Sequence, residues 1–291
     1  MIKSYKLRRT LANGFIYALL AVLGIIWVLP LVYLILHSFR GEGKAFVSYL
    51  IPKELSLKNY IELFTVSDDS SVYFGRWMLN TLIIAIFSCI ISTLAVLMVS
   101  YAFSRLRFKA RKPLINIGMI LGMFPGFMTM IAIYYLMKAI GEAVPIFRIP
   151  QFELIICYSA GAGLGYQISK GFFDTIPRAL DEAATIDGAT RNQIFWKIIL
   201  PMSKPILVYT ILTSFIGPWT DFILAKIIIG VDPENFTVAI GLQRMIQSDM
   251  VLNNFKKFLA GSVCVAVPIT ALFMFMQRYY VEGVTAGGVK G

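Results

Sequence analysis

Long apolar segments separated by polar ones dominate the pattern of this chain. Six such segments stand out, covering residues 14–36, 77–103, 113–137, 152–172, 205–229 and 258–280. Each reaches the length of about 20 residues that an α-helix needs to cross the hydrocarbon core of a bilayer. Because a backbone in lipid must satisfy its own hydrogen bonds, we expect these segments to be helices rather than strands. The pattern predicts an all-α, polytopic membrane protein with six transmembrane helices in a single domain, residues 1–291.

The polar segment of residues 173–204 lies between the fourth and fifth apolar segments and contains many helix-forming residues. Its first half is rich in alanine, and Asp174 or Thr175 is a candidate N-cap for a short helix there. An Asp-Gly pair ending at Gly188 predicts a turn, since glycine tolerates a positive φ. Thr190 is then a candidate N-cap for a second helix. The segment therefore predicts a helix, a glycine turn and another helix.

Composition agrees with a membrane protein, because 58% of the residues are hydrophobic and only 15% are charged. The net charge of +11 does not indicate nucleic-acid binding, because the basic residues cluster at the ends of apolar segments. The loop "SRLRFKARK" and the basic N-terminal tail favour the cytoplasmic side, where short loops carry an excess of Lys and Arg. We therefore expect both termini and the loop of residues 173–204 to be cytoplasmic.

Two other features of the sequence are explained without special chemistry. The three cysteines lie in apolar segments and lack the spacing of a metal site or disulfide framework, so we interpret them as buried hydrophobic residues. The first apolar segment is longer than the core of a signal peptide and no cleavage motif follows it. It is therefore interpreted as the first membrane span, and no metal site is expected.

The outer loops and the fifth segment leave alternatives open. The loops Ser38–Arg76 and Gly230–Lys257 suit either small caps outside the bilayer or contacts with an external protein. Asp221 falls within an apolar segment, where ionisable groups are costly and often functional. Trp219 suits stacking on a sugar ring, packing or interfacial anchoring. Both residues are candidates for lining a transport pathway.

The loop of residues 173–204 resembles the signature of bacterial ABC importer permeases, E-A-A, three residues, G, nine residues, I-x-L-P. Every fixed position and both gaps match, at Glu182, Ala183, Ala184, Gly188, Ile198, Leu200 and Pro201. The segments "FTVAIGLQRM", "SFIGPWTDFILA" and "GVTAGGVKG" resemble the second, shorter permease of maltose and maltodextrin importers. The resemblance extends over all six apolar segments.

This resemblance implies a transmembrane permease of a bacterial inner membrane that forms half of a sugar pathway and works by alternating access. The residues around Glu182–Gly188, including Asp187, would dock on a cytoplasmic ATPase, with Glu182 and the two alanines in contact and Gly188 setting the geometry. The implied partners are a homologous second permease, two ATPase subunits and an extracytoplasmic sugar-binding protein. The chain has no G-x-x-x-x-G-K-[ST] phosphate loop, so it is not expected to be an enzyme. ATP and Mg²⁺ would bind the partner ATPase, and this chain binds no cofactor.

The resemblance also assigns the C-terminal tail to contacts with the ATPase pair, through Thr285, Gly287, Gly288 and Lys290, although a disordered terminus is an equal alternative. A permease for another oligosaccharide or sugar derivative fits the same sequence. An ion-coupled secondary transporter is the alternative from a different class. It would show paired buried carboxylates or broken helices with ion ligands, for which Asp221 and Lys226 are thin support.

Overall fold

The computed structural model describes residues 2–65, 72–162, 165–247 and 250–288, and the regular elements within these ranges are helices. The α-helices are α1 (Ile2–Ser38), α2 (Lys58–Phe64), α3 (Phe74–Arg105), α4 (Arg111–Gly122), α5 (Gly126–Ala143), α6 (Pro150–Ala162), α7 (Tyr166–Thr175), α8 (Ala179–Ile186), α9 (Arg191–Ile194), α10 (Leu200–Met202), α11 (Lys204–Thr220), α12 (Ile223–Ile229), α13 (Val238–Met245) and α14 (Val251–Gly288). A π-helical turn, Phe195–Ile199, joins α9 to α10. The predicted all-α class is confirmed.

Three described helices are each long and apolar enough to cross a membrane. They are the segments Arg8–Ser38, Phe74–Arg105 and Val251–Tyr279. Two further pairs of helices pass the same test when each pair is taken together. They are α4 with α5, which are bent by 104° relative to each other, and Arg191–Met202 with α11, which are bent by 85°. The described chain therefore has between three and five candidate spans, and the total of six stays a prediction.

Three apolar segments are interrupted where the sequence predicted one continuous helix. The third segment breaks between α4 and α5, because Pro125 has no amide hydrogen and disfavours helical geometry in the residue before it. In the fourth segment, α6 ends at Ala162 and α7 begins at Tyr166. The fifth breaks at Asp221, whose carboxylate accepts from the amides of Leu224 and Ala225 and so caps α12.

The described residues form two compact units, Met1–Val72 with Leu242–Cys264 and Tyr73–Gly241 with Val265–Gly291. In the first unit, a buried arginine organises the loop after α1. Arg40 Nη2 donates to the carbonyls of Lys44 and Ala45, each at 2.6 Å. Asn59, at the start of α2, donates to the carbonyl of Arg40 at 2.9 Å. These bonds give the loop a defined shape outside regular structure.

The second unit is built around α3, which packs against α6, α7 and α11. At the first turns of α3, Trp77 is fully buried and its Nε1 donates to the carbonyl of Pro233 at 2.7 Å. Thr81 Oγ1 accepts from the amide of Val238 at 2.8 Å. Gly241 on α13 faces the Trp77 ring so closely that a Cβ there would overlap it. The beginning of α3 is therefore fixed to the segment that leads into α13.

The described glycines of the fourth apolar segment, in "GAGLGYQISKG", have no close neighbours in this chain. Small residues of this kind allow helices to approach closely. A Cβ built at Gly161, Gly165 or Gly171 meets no atom within 4 Å. Gly163 lies outside the described residues. Within the chain, no neighbouring element therefore packs closely against these three described glycines.

Candidate functional site

The signature residues 182–201 fall in a helical hairpin of residues 179–202, which we call the elbow. The elbow consists of α8, a turn at Gly188, and then α9, the π-helical turn and α10. This order is the predicted helix, glycine turn and second helix.

The turn of the elbow is a Schellman motif. Gly188 has a φ of +82°. Its amide donates to the carbonyl of Thr185 at 3.1 Å, and the amide of Ala189 donates to the carbonyl of Ala184 at 2.9 Å. These two bonds satisfy carbonyls that the end of α8 would otherwise leave unpaired. The predicted positive φ at Gly188 is confirmed, and the signature glycine has a geometric function.

The second helix begins with a capping box. Thr190 Oγ1 accepts from the amide of Gln193, whose side-chain oxygen in turn accepts from the amide of Thr190 at 2.8 Å. The predicted cap at Thr190 is therefore confirmed. The predicted N-cap of α8 is wrong, because Asp174 and Thr175 belong to the end of α7 and Arg178 occupies the position before α8. A carboxylate inside one helix cannot cap the next one.

The elbow has one face packed on the unit and one face exposed. Phe173, Ile194 and Ile199 are buried in a cluster against Leu97 of α3, and the partly buried signature residues Ala184, Ile198 and Leu200 pack on it. The remaining signature residues Glu182, Ala183, Gly188 and Pro201 are exposed, and so is Asp187. Ile186, between the signature positions, is 86% exposed. Of the predicted alanine pair, Ala183 is exposed, whereas Ala184 is partly buried against this cluster.

A buried ion pair that the sequence did not point out ties the elbow to α3. Arg105, the last residue of α3, lies with its Nη1 3.4 Å from Asp181 Oδ2 on the first turn of α8. Arg105 Nη2 also donates to the carbonyls of Phe173 and Ile176, at 2.7 and 2.8 Å. Arg105 and Asp181 are only 8% and 7% exposed. The sequence did carry a signal that one acid is buried, namely the adjacent pair Asp181 and Glu182. Successive residues on a helix point in different directions, so the two cannot face solvent equally.

Other bonds fasten the same end of α3 to the residues on either side of α8. Ser104 Oγ donates to Asp174 Oδ1 at 2.6 Å, and Lys170 donates to Oδ2 at 2.6 Å. Burial raises the pKa of the Asp174 carboxyl, but these two hydrogen bonds, together with the positive charges of Lys170 and Arg111, outweigh it and hold the pKa below its ordinary value. Tyr101 Oη donates to the carbonyl of Arg191 at 3.2 Å. The C-terminal end of α3 therefore contacts both arms of the elbow.

A cavity whose lining combines hydroxyl-bearing and apolar residues lies within the second unit, between α3, α6, α7 and α11. Its volume is about 280 Å³, and its lining includes Ser92, Tyr158, Ser169, Thr210, Thr213 and Ser214. Trp219 is 3% exposed and is not part of the lining, so within this chain it is a buried packing residue. The Asp221 carboxylate accepts from Tyr158 Oη at 2.6 Å. Asp221 therefore contacts a residue of the lining, and sugar contact by either candidate stays a prediction.

The candidate tail falls partly outside the described residues. The helical backbone of α14 continues through Thr285, Gly287 and Gly288, and Lys290 lies beyond the described range. Within the described residues, no group of three or more His, Cys, Asp or Glu side chains is placed to hold a metal ion. All three cysteines are free thiols.

Comparisons with known proteins agree with this arrangement. A family described as binding-protein-dependent transport system inner membrane component matches residues 91–285. The galactooligosaccharides transport system permease protein GanQ of Bacillus subtilis is 35% identical over 100% of both chains. The maltodextrin transport system permease protein MalD of Streptococcus pneumoniae is 33% identical, again over 100% of both. A chain of a bacterial ABC transporter involved in the import of alginate, an acidic polysaccharide, shares the fold, with a TM-score of 0.76, 20% identity and coverage of 92% of this chain and 96% of that one.

Proposed function

The chain belongs to the family of inner-membrane components of binding-protein-dependent transport systems, and on that premise we propose that it is a permease subunit of an ATP-driven oligosaccharide importer. It forms half of the translocation pathway, and a homologous second permease forms the other half. Two cytoplasmic ATPase subunits bind ATP and Mg²⁺, and an extracytoplasmic binding protein delivers the sugar. Both termini and the elbow face the cytoplasm.

The exposed face of the elbow is the observation that carries this proposal. Glu182, Ala183 and Ile186 lie together on the outward side of α8, and a short helix of this kind fits into a groove on a partner. The opposite face of the elbow packs on α3, so a force on the exposed face reaches a long membrane helix directly. Coupling then requires that the ATPase contacts the elbow differently in its open and closed states.

The hydroxyl groups in the cavity between α3, α6, α7 and α11 support a sugar as the transported molecule. Serine, threonine and tyrosine hydroxyls both donate and accept hydrogen bonds, which matches the hydroxyl groups of a carbohydrate. Its six named lining residues carry no charge, so the cavity suits a neutral sugar better than an acidic one. Maltodextrin and galactooligosaccharides, which the names of the two curated relatives contain, are neutral oligosaccharides. A maltodextrin-type substrate is our first choice, and the alternative is a galactooligosaccharide.

An ion-coupled mechanism gains no support from Asp221. Its carboxylate accepts from the amides of Leu224 and Ala225 and from Tyr158, so its oxygens are used in capping α12. A coupling-ion site requires oxygen ligands that are free to coordinate the ion. The broken helices of this chain therefore have a local structural cause.

The test is to express the chain with the ATPase, second permease and binding protein encoded by its source organism, and to purify the complex through a tag on this chain. We expect the other membrane and ATPase subunits to co-purify, and ATP hydrolysis in proteoliposomes to rise with binding protein and maltodextrin. A panel of maltodextrin, galactooligosaccharide and alginate oligosaccharide then identifies the sugar. Uptake that follows an imposed proton or sodium gradient without ATP would refute the proposal.

A further inference from the structure

We propose that Arg105 and Asp181 are positioning residues for energy coupling, and that their ion pair fixes α8 to the inner end of α3 so that the movement of the docked elbow is passed to that helix. The inference rests on the proposed function, and it concerns residues that the permease signature leaves out. Asp181 immediately precedes Glu182, so the same helical turn presents one carboxylate to the partner and the other to α3.

The geometry around Arg105 makes it the common fixing point of three elements. Its guanidinium reaches Asp181 on α8 and donates to the carbonyls of Phe173 and Ile176, which lie at and just beyond the end of α7. Arginine is suited to this because it carries five N–H donors in one rigid plane. A lysine has a single ammonium group and would not reproduce these contacts.

The pair also has an unused donor and acceptor. Among the described residues, Arg105 Nε and Asp181 Oδ1 have no hydrogen-bond partner, and the one ion-pair contact measures 3.4 Å. A small rotation of α8 would bring the two groups into a bidentate pair, which is the stronger arrangement for Arg and a carboxylate. The ion pair can therefore differ between two positions of the elbow, as coupling requires.

Because α3 is long, a displacement at its Arg105 end can move a whole membrane span. The helix runs from Phe74 to Arg105 and contains no proline. At a rise of about 1.5 Å per residue, its length is on the order of 48 Å, which exceeds the thickness of the hydrocarbon core. A displacement imposed at Arg105 is therefore delivered along the whole span.

The experiment uses the complete transporter in proteoliposomes and measures the number of ATP molecules hydrolysed per sugar accumulated, with maltodextrin as the probe or the sugar that the panel selects. Asp181→Asn keeps the size of the side chain and removes its charge. Arg105→Lys keeps the positive charge and removes the planar set of guanidinium N–H donors. We expect both variants to assemble and to raise this ratio by at least about fivefold, the lower end of typical coupling effects. Asp181→Glu restores the charge and should bring the ratio partly back.

Thr81→Val is the matched control. It removes a buried hydrogen bond at the opposite end of α3, to the amide of Val238, and leaves the elbow untouched. It should lower thermal stability without changing the ratio of ATP to sugar. A ratio in Asp181→Asn equal to that of Thr81→Val would overturn the proposal, because the pair would then contribute to stability alone.

Loss of assembly in the single variants is dealt with by the double variant Arg105→Gln/Asp181→Asn. Asp181→Asn leaves the buried charge of Arg105 without its partner, which is strongly destabilising, whereas the double variant buries no charge. A wild-type ratio in the assembled double variant would overturn the inference, and a raised ratio supports it. A wild-type chain that assembles with no ATPase refutes the proposed function instead, so the two failures are distinguishable.

Discussion

Replacement of Gly188 should destabilise the elbow by an amount that its backbone geometry defines. The residue has a φ of +82°, and a Cβ added there would meet no atom within 4 Å. Gly188→Ala therefore creates no clash with a neighbour, and its cost comes only from the left-handed backbone, about 1–2 kcal/mol. The two amide bonds of the Schellman turn should then open about 5 to 30 times more often.

The direct assay is hydrogen exchange of residues 185–190 in the purified complex, because the amides of Gly188 and Ala189 donate the two bonds of the turn. We expect faster exchange of this segment in Gly188→Ala, and still faster in Gly188→Val, whose branched side chain is stiffer. Gly188→Asn should change least, since asparagine tolerates this region best after glycine. Sugar transport should fall least in Gly188→Asn, more in Gly188→Ala and most in Gly188→Val.

Gly171→Ala is the matched control for this series. Gly171 also has open space around its Cβ position, but it lies in α7 with an ordinary negative φ. It should leave exchange at residues 185–190 unchanged, and alanine should favour the helix. Equal exchange in Gly188→Ala and the wild-type chain would refute the assignment of Gly188 to backbone geometry.

Three further changes test separate parts of the structure. Glu182→Lys should abolish coupled sugar uptake without affecting membrane insertion, because it reverses the charge on the exposed face of α8; normal uptake would remove the docking assignment. Gly241→Ala should lower the thermal unfolding temperature strongly, because its Cβ would overlap the Trp77 ring, and an unchanged temperature would contradict that packing. Cysteines placed at Lys109 or Arg191 should react with an impermeant thiol reagent only from the cytoplasmic side, whereas labelling of intact cells from outside would invert the orientation.

The local properties of the chain followed from the sequence because they depend on neighbouring residues. Apolar length predicted helices in all six segments, and the structure has helices in each of them. The glycine turn and the Thr190 cap were predictable because backbone sterics and short-range hydrogen bonds decide them. Hydropathy did not reveal where the third, fourth and fifth segments break, since an average over a window hides a single Pro125 or Asp221.

The orientation of the elbow required the tertiary structure. Asp181 and Glu182 are adjacent acids in one helix, and nothing in their local sequence says which of them faces the protein. Arg105 decides it, from a position 76 residues earlier in the chain, because a buried guanidinium needs a carboxylate and the end of α3 puts it beside α8. Likewise Ala184 packs on the core while Ala183 stays exposed. The sequence by itself determined which segments are helical and where the elbow turns, whereas long-range packing determined which side of it is left for a partner.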